Sequence, residues 1–221
     1  AGLREAPDSD DVVTTGAAGG AISLHQRAAQ RAPAIVRWLQ ERPWIGPIFV
    51  HESGPATEVP GTLPLSLVWN GHVGPRAPDI KFSRNWTASP NAAGIPGTTL
   101  GAGRAVATHG SASPYDMRNS LFAWGPRFHR QRHTSLPAGI VDVAPTVRHL
   151  LGLPPEPTDG RILHEALSTP PGQEPATTAP LTQTVHEASA AWPGGGYRQR
   201  VHLSTVGATT YLNRADVEHL P

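Results

Sequence analysis

One imidazole offers the clearest chemistry in this sequence. His109 stands between Thr108 and Gly110 and opens the stretch Gly110-Ser111-Ala112-Ser113-Pro114-Tyr115-Asp116-Met117-Arg118-Asn119. A neutral imidazole is the commonest metal ligand among side chains and the usual proton carrier near pH 7. Small neighbours and a flanking glycine leave the ring accessible at the rim of a sheet, as a metal ligand requires. Asp116 and Arg118, seven and nine residues further on, are candidates to fix the imidazole tautomer from behind. A local turn closed by a salt bridge accounts for them equally well. The apolar run Leu121-Phe122-Ala123-Trp124 stops at Gly125-Pro126 and reads as a buried strand behind the loop. The other histidines have no comparable setting.

Several chemistries are excluded by what is missing. His51-Glu52, His164-Glu165 and His186-Glu187 lack a second His four residues after the first, so no zincin helix is present. No Ser occupies a Gly-x-Ser-x-Gly elbow. Gly101-x-Gly103 lacks its third glycine and no Gly-Lys-Ser/Thr occurs, so neither nucleotide-binding fingerprint holds. Cys is absent, which removes disulfides, thiolate zinc sites and thiol nucleophiles. The Asn85-Trp86-Thr87 sequon is a common three-residue accident. The basic run 127–133 could grip a polyanion. With Phe128 as its one aromatic and no helical face, it reads first as a solvated loop.

The 221 residues suffice for one domain or a large part of one, and the net charge of +1 gives no reason to expect nucleic acid or an anionic membrane as partner. Lys81 is the single lysine among 18 basic residues, a skew that fits GC-rich coding. No apolar run approaches the ~18–20 residues of a membrane helix. The first residues carry neither an initiator Met nor a signal-peptide core, and the expectation is a chain that starts inside a domain.

The elements that must position His109 follow from local pattern. Val12-Val13-Thr14-Thr15, ended by Gly16, pairs as a hairpin with residues 21–24. Residues 31–41 turn helical, with Pro33 in the first turn, an apolar stripe of Ile35, Val36, Trp38 and Leu39, and Pro43 as the stop. Residues 45–50 read as a buried strand, and this β-α-β order favours an α/β sheet. Residues 61–69 and 78–86 are further strand candidates, and 89–103 a Gly- and Pro-rich loop. A helix begins at Asp142 as N-cap, carries Pro145 in its tolerant first turn and Val143, Val147, Leu150 and Leu151 on one face, and ends at Gly152. Residues 168–196, rich in Pro, Thr, Ala and Gly, read as a mobile linker. Residues 197–203 and 209–212 read as a terminal hairpin.

Taken together, Thr108-His109-Gly110-Ser111, Asp116-Met117-Arg118-Asn119 and Leu121-Phe122-Ala123-Trp124-Gly125-Pro126-x-Phe128 resemble the C-terminal half of the type I phosphodiesterase/nucleotide pyrophosphatase family of the alkaline phosphatase superfamily. Val141-Asp142-Val143-Ala144-Pro145-Thr146, Leu150-Leu151-Gly152-Leu153 and Asp159-Gly160-Arg161 agree, as do Val59-Pro60-Gly61-Thr62-Leu63-Pro64-Leu65-Ser66 and Pro78-Asp79-Ile80. The likeness covers residues 8–167. It implies an α/β fold, the C-terminal portion of a three-layer sheet with helices on both faces. It implies hydrolysis of phosphoric-ester or pyrophosphate bonds of phosphate-ester or nucleotide substrates with two divalent ions, usually Zn²⁺. It also makes His109 a metal ligand, with Gly110, Asp116 and Arg118 as support.

The departure from the family is large. None of the eight Asp residues has a His next to it or four residues after it, and no nucleophile is recognisable. A catalytic zinc needs about three protein ligands, so the expectation is a chain inactive alone and dependent on the N-terminal half of its domain. Residues 1–167 are then part of the catalytic domain, 168–196 a linker and 197–221 a terminal tail. A cytoplasmic and a cell-envelope location are equally open. The competing readings are a non-catalytic remnant binding through residues 127–133, and a sulfatase- or phosphomutase-like branch of the superfamily. Half a sheet also implies bare apolar runs at Val12-Val13, Ile48-Phe49-Val50 and Leu121-Phe122-Ala123, and hence association.

Overall fold

Val12–Thr15 (β1) and Gly19–Leu24 (β2) pair antiparallel, Val12 opposite Leu24 and Thr15 opposite Ala21, as the β-branched run ended by Gly16 predicts. The computed structural model describes residues 9–16, 19–69, 73–101, 109–168 and 180–221. It is mixed α/β, with two sheets and few helices. Residues 1–118, 185–202 and 212–221 form one unit, and residues 119–184 and 203–211 a second.

In the first unit, a 3-10 turn over Gln26–Arg31 leads into α1 (Ala32–Gln40), with Pro33 in the first turn, where its missing amide breaks no helical bond. Ile35, Val36 and Leu39 of its apolar stripe are buried. Next come β3 (Ile45–Val50), buried throughout, then β4 (Leu63–Pro64) and β5 (Ile80–Arg84), in the sheet order β1-β2-β5-β3-β4. Because β5 runs antiparallel to both β2 and β3, those two strands point the same way. The segment containing α1 is their crossover, and β5 is inserted between them, a split β-α-β arrangement. The β-α-β order is therefore present, but only β3 and β4 pair in parallel among the described strands. The strand expected over residues 61–69 shrinks to Leu63–Pro64 before a 3-10 turn at Leu65–Leu67. Pro60 and Pro64 have no amide to offer a longer ladder.

The second sheet corrects the linker. β6 (Leu181–Trp192), β7 (Gly195–Val206) and β8 (Thr209–Leu220) lie side by side in that order. Two-residue connections allow only antiparallel neighbours. The terminal hairpin is thus longer than expected and has a third strand. Residues 169–179, with much of the Pro- and Thr-rich composition, lie outside the described residues. From Leu181 onward no proline occurs until residue 193, and His186, Ala188, Ala190 and Trp192 alternate as half-buried positions. This period of two is the mark of a sheet with one covered face.

The core of the first unit gathers Ile35, Val36, Ile45, Ile48, Ile80 and Tyr197. Ile48, Phe49 and Val50 are buried rather than bare. β7 contributes to their cover through Gln199, whose amide takes the place of a strand residue. Its Oε1 accepts from the Ile48 amide at 2.9 Å, while Nε2 donates to Ile48 O at 2.9 Å and to Gly61 O at 2.7 Å. The Tyr197 hydroxyl donates to Gly46 O at 2.7 Å, and burial pushes its pKa well up. Of the β1 pair, Val12 is buried and Val13 exposed.

In the second unit, a 3-10 turn at Ile140–Asp142 runs into α3 (Val143–Leu150), and the chain turns at Gly152. Asp142 sits at the N-cap position, yet its carboxylate does not cap the helix. It is fully buried and accepts from the Gly139 amide (2.8 Å), the Arg161 amide (2.8 Å) and the Tyr211 hydroxyl (2.9 Å). The buried side of α3 is Pro145 and Thr146, whereas of the expected apolar face Val143, Val147 and Leu151 are exposed and Leu150 is only half-buried. Gly160 approaches so closely that a Cβ there would lie 2.1 Å from Val141 O, which explains the glycine between Asp159 and Arg161.

Residues 121–124 are not a buried strand. Leu121, Phe122 and Trp124 are exposed, and no strand includes them. An apolar run becomes a strand only where a neighbouring edge accepts its backbone, and the described residues supply none.

Candidate functional site

The loop bearing His109 is mounted on a pinned segment. Ser111, Ala112 and Ser113 are buried. The Ala112 amide donates to Ser83 Oγ of β5 at 3.1 Å, and Ala112 O accepts from the Ala215 amide of β8 at 2.9 Å. Ser113 caps α2 (Pro114–Met117) by accepting from the Tyr115 amide at 3.1 Å, with Pro114 at the first helical position. Trp86 braces the same region, its indole N–H donating to Ala215 O at 2.8 Å and its ring meeting Tyr115 edge-on at 6.0 Å.

His109 and Gly110 project from this rail and are exposed. Gly110 has φ +90°, a conformation an L side chain rarely adopts, so the turn after the imidazole needs glycine. Asp116 accepts from the Ser111 amide at 2.6 Å and so closes the turn behind His109. No contact of its carboxylate with the imidazole is present among the described residues. The Arg118 amide bonds to Pro114 O at the end of α2, and its side chain is exposed. Thr108 and Gly103 lie outside the described residues. Among the described residues no three His, Asp or Glu side chains are grouped to hold a metal ion. These residues therefore do not fit a zinc centre on their own, since such a centre takes about three protein ligands.

The second unit holds a tighter polar cluster, whose members Asp142, Arg161 and Glu165 stand in segments the sequence marks for other reasons. Arg161 makes a two-pronged pair with Glu165 at 2.6 and 2.9 Å and donates to the Tyr211 hydroxyl at 3.0 Å. Burial and the bond to Asp142 push the Tyr211 hydroxyl up to about 12. Burial would raise the Glu165 carboxyl, but hydrogen bonding and charge from Arg161 outweigh it and hold the group below its usual range. His164 lies beside His149, ring centroids 5.2 Å apart. Burial first, and the His149 charge second, lower its pKa from 6.5.

A depressed histidine pKa means that the unfolded chain binds the proton more readily. The stabilisation is complete above pH 6.5 and is lost as pH falls through the folded-state value. Melting scans at descending pH should show a loss of thermal stability below pH 6.5 that His164→Gln reduces. Identical pH profiles for the two proteins would contradict this assignment.

Asn85 is buried, with Nδ2 on Pro43 O at 3.3 Å and Oδ1 accepting from the Trp86 amide, so the sequon side chain is committed inside the fold. The side chains of residues 127–133 other than Phe128 are exposed. No described helix is long and apolar enough to cross a membrane. Comparison of the chain with family models, with curated proteins and with solved structures finds no match in any of the three.

Proposed function

We propose that this chain is a portion of a metal-dependent phosphoric-ester hydrolase of the phosphodiesterase/nucleotide pyrophosphatase type, built on an alkaline-phosphatase-like sheet. It contributes His109 as one ligand of a divalent-metal site. The nucleophile and the other ligands come from an N-terminal portion of the same domain. The observation that carries this reading is the mounting of His109: an exposed imidazole, next to a glycine, on a buried three-residue segment bonded to Ser83 and Ala215. A ligand awaiting partners needs that combination of an open ring and a fixed base. The carboxylate of Asp116 supports the turn through Ser111.

The test compares the 221-residue chain with the same chain extended by the N-terminal portion that this proposal requires. Alone, it should neither turn over bis(4-nitrophenyl) phosphate with added Zn²⁺ nor bind Zn²⁺ stoichiometrically in calorimetry. The extended protein should turn the ester over. His109→Ala in that protein should cost more than the ~10–100-fold typical of an outer-sphere partner. Turnover by the isolated chain, or an extended protein indifferent to His109→Ala, overturns the assignment. A second reading, a non-catalytic fragment binding a partner through residues 127–133, is favoured by the exposure of Arg127, His129, Arg130, Arg132 and His133. An extended protein that is inactive whatever stands at position 109 would select it.

A further inference from the structure

We infer that residues 121–124 are a docking strand for a partner polypeptide that presents an apolar β-edge flanked by carboxylates. Three observations within the second unit converge on it. The run Leu121-Phe122-Ala123-Trp124 is strongly apolar, yet Phe122 is 90% and Trp124 97% exposed. Among the described residues no hydrogen bond involves the backbone of residues 121–124. From Asn119 to Val141 the sequence has no Asp or Glu, while Arg127, Arg130 and Arg132 are exposed just beyond the run.

Each observation narrows the occupant. Exposed aromatic side chains call for an apolar cover. Unpaired amides and carbonyls call for a cover that supplies hydrogen bonds, which a strand edge does and a hydrocarbon layer cannot. A one-signed flank calls for the opposite sign. A second copy pairing run to run would bring the same arginines against themselves, and a lipid surface would leave the backbone unsatisfied. An acidic strand meets all three demands. The second unit has further apolar surface to cover, with Ile140 90% exposed and Val143, Val147 and Leu151 bare along α3. The inference goes beyond the hydrolase reading, which concerns His109 in the other unit.

The probes are two synthetic strand peptides of about eight residues, a length typical of strands. Both alternate Val with a charged residue, one using Asp and the other Lys. Hydrogen exchange by mass spectrometry on the full 221-residue chain is the readout. At about 1 mM, where even weak complexes form, the Asp peptide should slow exchange of the 121–124 amides by roughly tenfold or more. The Lys peptide should leave them unchanged. Trp124→Asp, at an exposed site that the fold does not use, should abolish the protection. The double variant Arg130→Glu, Arg132→Glu should transfer it to the Lys peptide. Protection by neither peptide, or equally by both, overturns the inference. So does protection of these amides by phosphatidylglycerol vesicles without peptide, which would make the partner a lipid surface. Protection that grows with protein concentration alone would make it a second copy and also overturn the inference.

Discussion

Gln199→Leu is expected to lower the stability of the protein by about 3–9 kcal/mol, at roughly 1–3 kcal/mol for each of three buried groups left unpaired. Leucine is close to glutamine in volume, so the loss is one of hydrogen bonding rather than of packing. The Ile48 amide, Ile48 O and Gly61 O all lose a partner at a fully buried position. Whole domains are stable by only about 5–15 kcal/mol. Urea unfolding should therefore show a much earlier midpoint, and the variant is expected to be barely folded at 37 °C. A midpoint within experimental error of the parent would show that the amide is dispensable. Gln199→Glu separates the electrostatic part. Its carboxylate accepts from the Ile48 amide but has no hydrogen for the two carbonyls, and burial raises its folded-state pKa above the unfolded value. The stability it allows is present below the unfolded pKa and lost as pH rises through the folded one. This variant should therefore be more stable relative to the parent at pH 4 than at pH 7.

Asp142→Ala should cost about 3 kcal/mol or more, at roughly 1–3 kcal/mol for each of three orphaned donors. The Gly139 amide, the Arg161 amide and the Tyr211 hydroxyl all end on this one buried carboxylate. Removing it leaves the Tyr211 hydroxyl with only the bond it accepts from Arg161. Asp142→Asn keeps the shape and one acceptor oxygen, so it should lose less than the alanine variant. Hydrogen exchange through residues 139–151 and 161–167 reads the result directly. Protection unchanged in the alanine variant would sink the assignment of Asp142 as the hub of this cluster.

The parts of the fold legible in the sequence are those governed by near neighbours. The β1–β2 hairpin, α1 and β5 follow from short runs of period two or near 3.6, β3 from an unbroken buried run, and the span of α3 from Pro145 and Gly152, although its apolar stripe faces solvent. The parts that were not legible depend on distant partners. Gln199 reads as an ordinary polar strand residue, and nothing in its surroundings says that its amide will complete β3, 151 residues away. β6 was masked by composition, because a Pro- and Thr-rich stretch runs into it without a break in residue type. Residues 121–124 carry the apolar pattern of a strand, but that pattern states a demand for cover and not its source. At His109 the sequence signals an imidazole that opens a loop of small residues, and the ring is exposed beside Gly110. The pinning by Ser83 and Ala215 could not be read, since neither residue is near it in the chain.

The bond between Gln199 and β3 has a bearing on how the protein is made. A ribosome releases the amino-terminal strands first, at roughly 5–20 residues per second. Ile48 therefore waits on the order of 10–30 s before Gln199 is synthesised, at that same pace. During synthesis the nascent polypeptide must carry an incomplete β3 through that interval, and chains cut short before Gln199 have no means of completing it. The completion of β3 is therefore among the last events open to the growing chain, after its hairpin and α1 are already available to form.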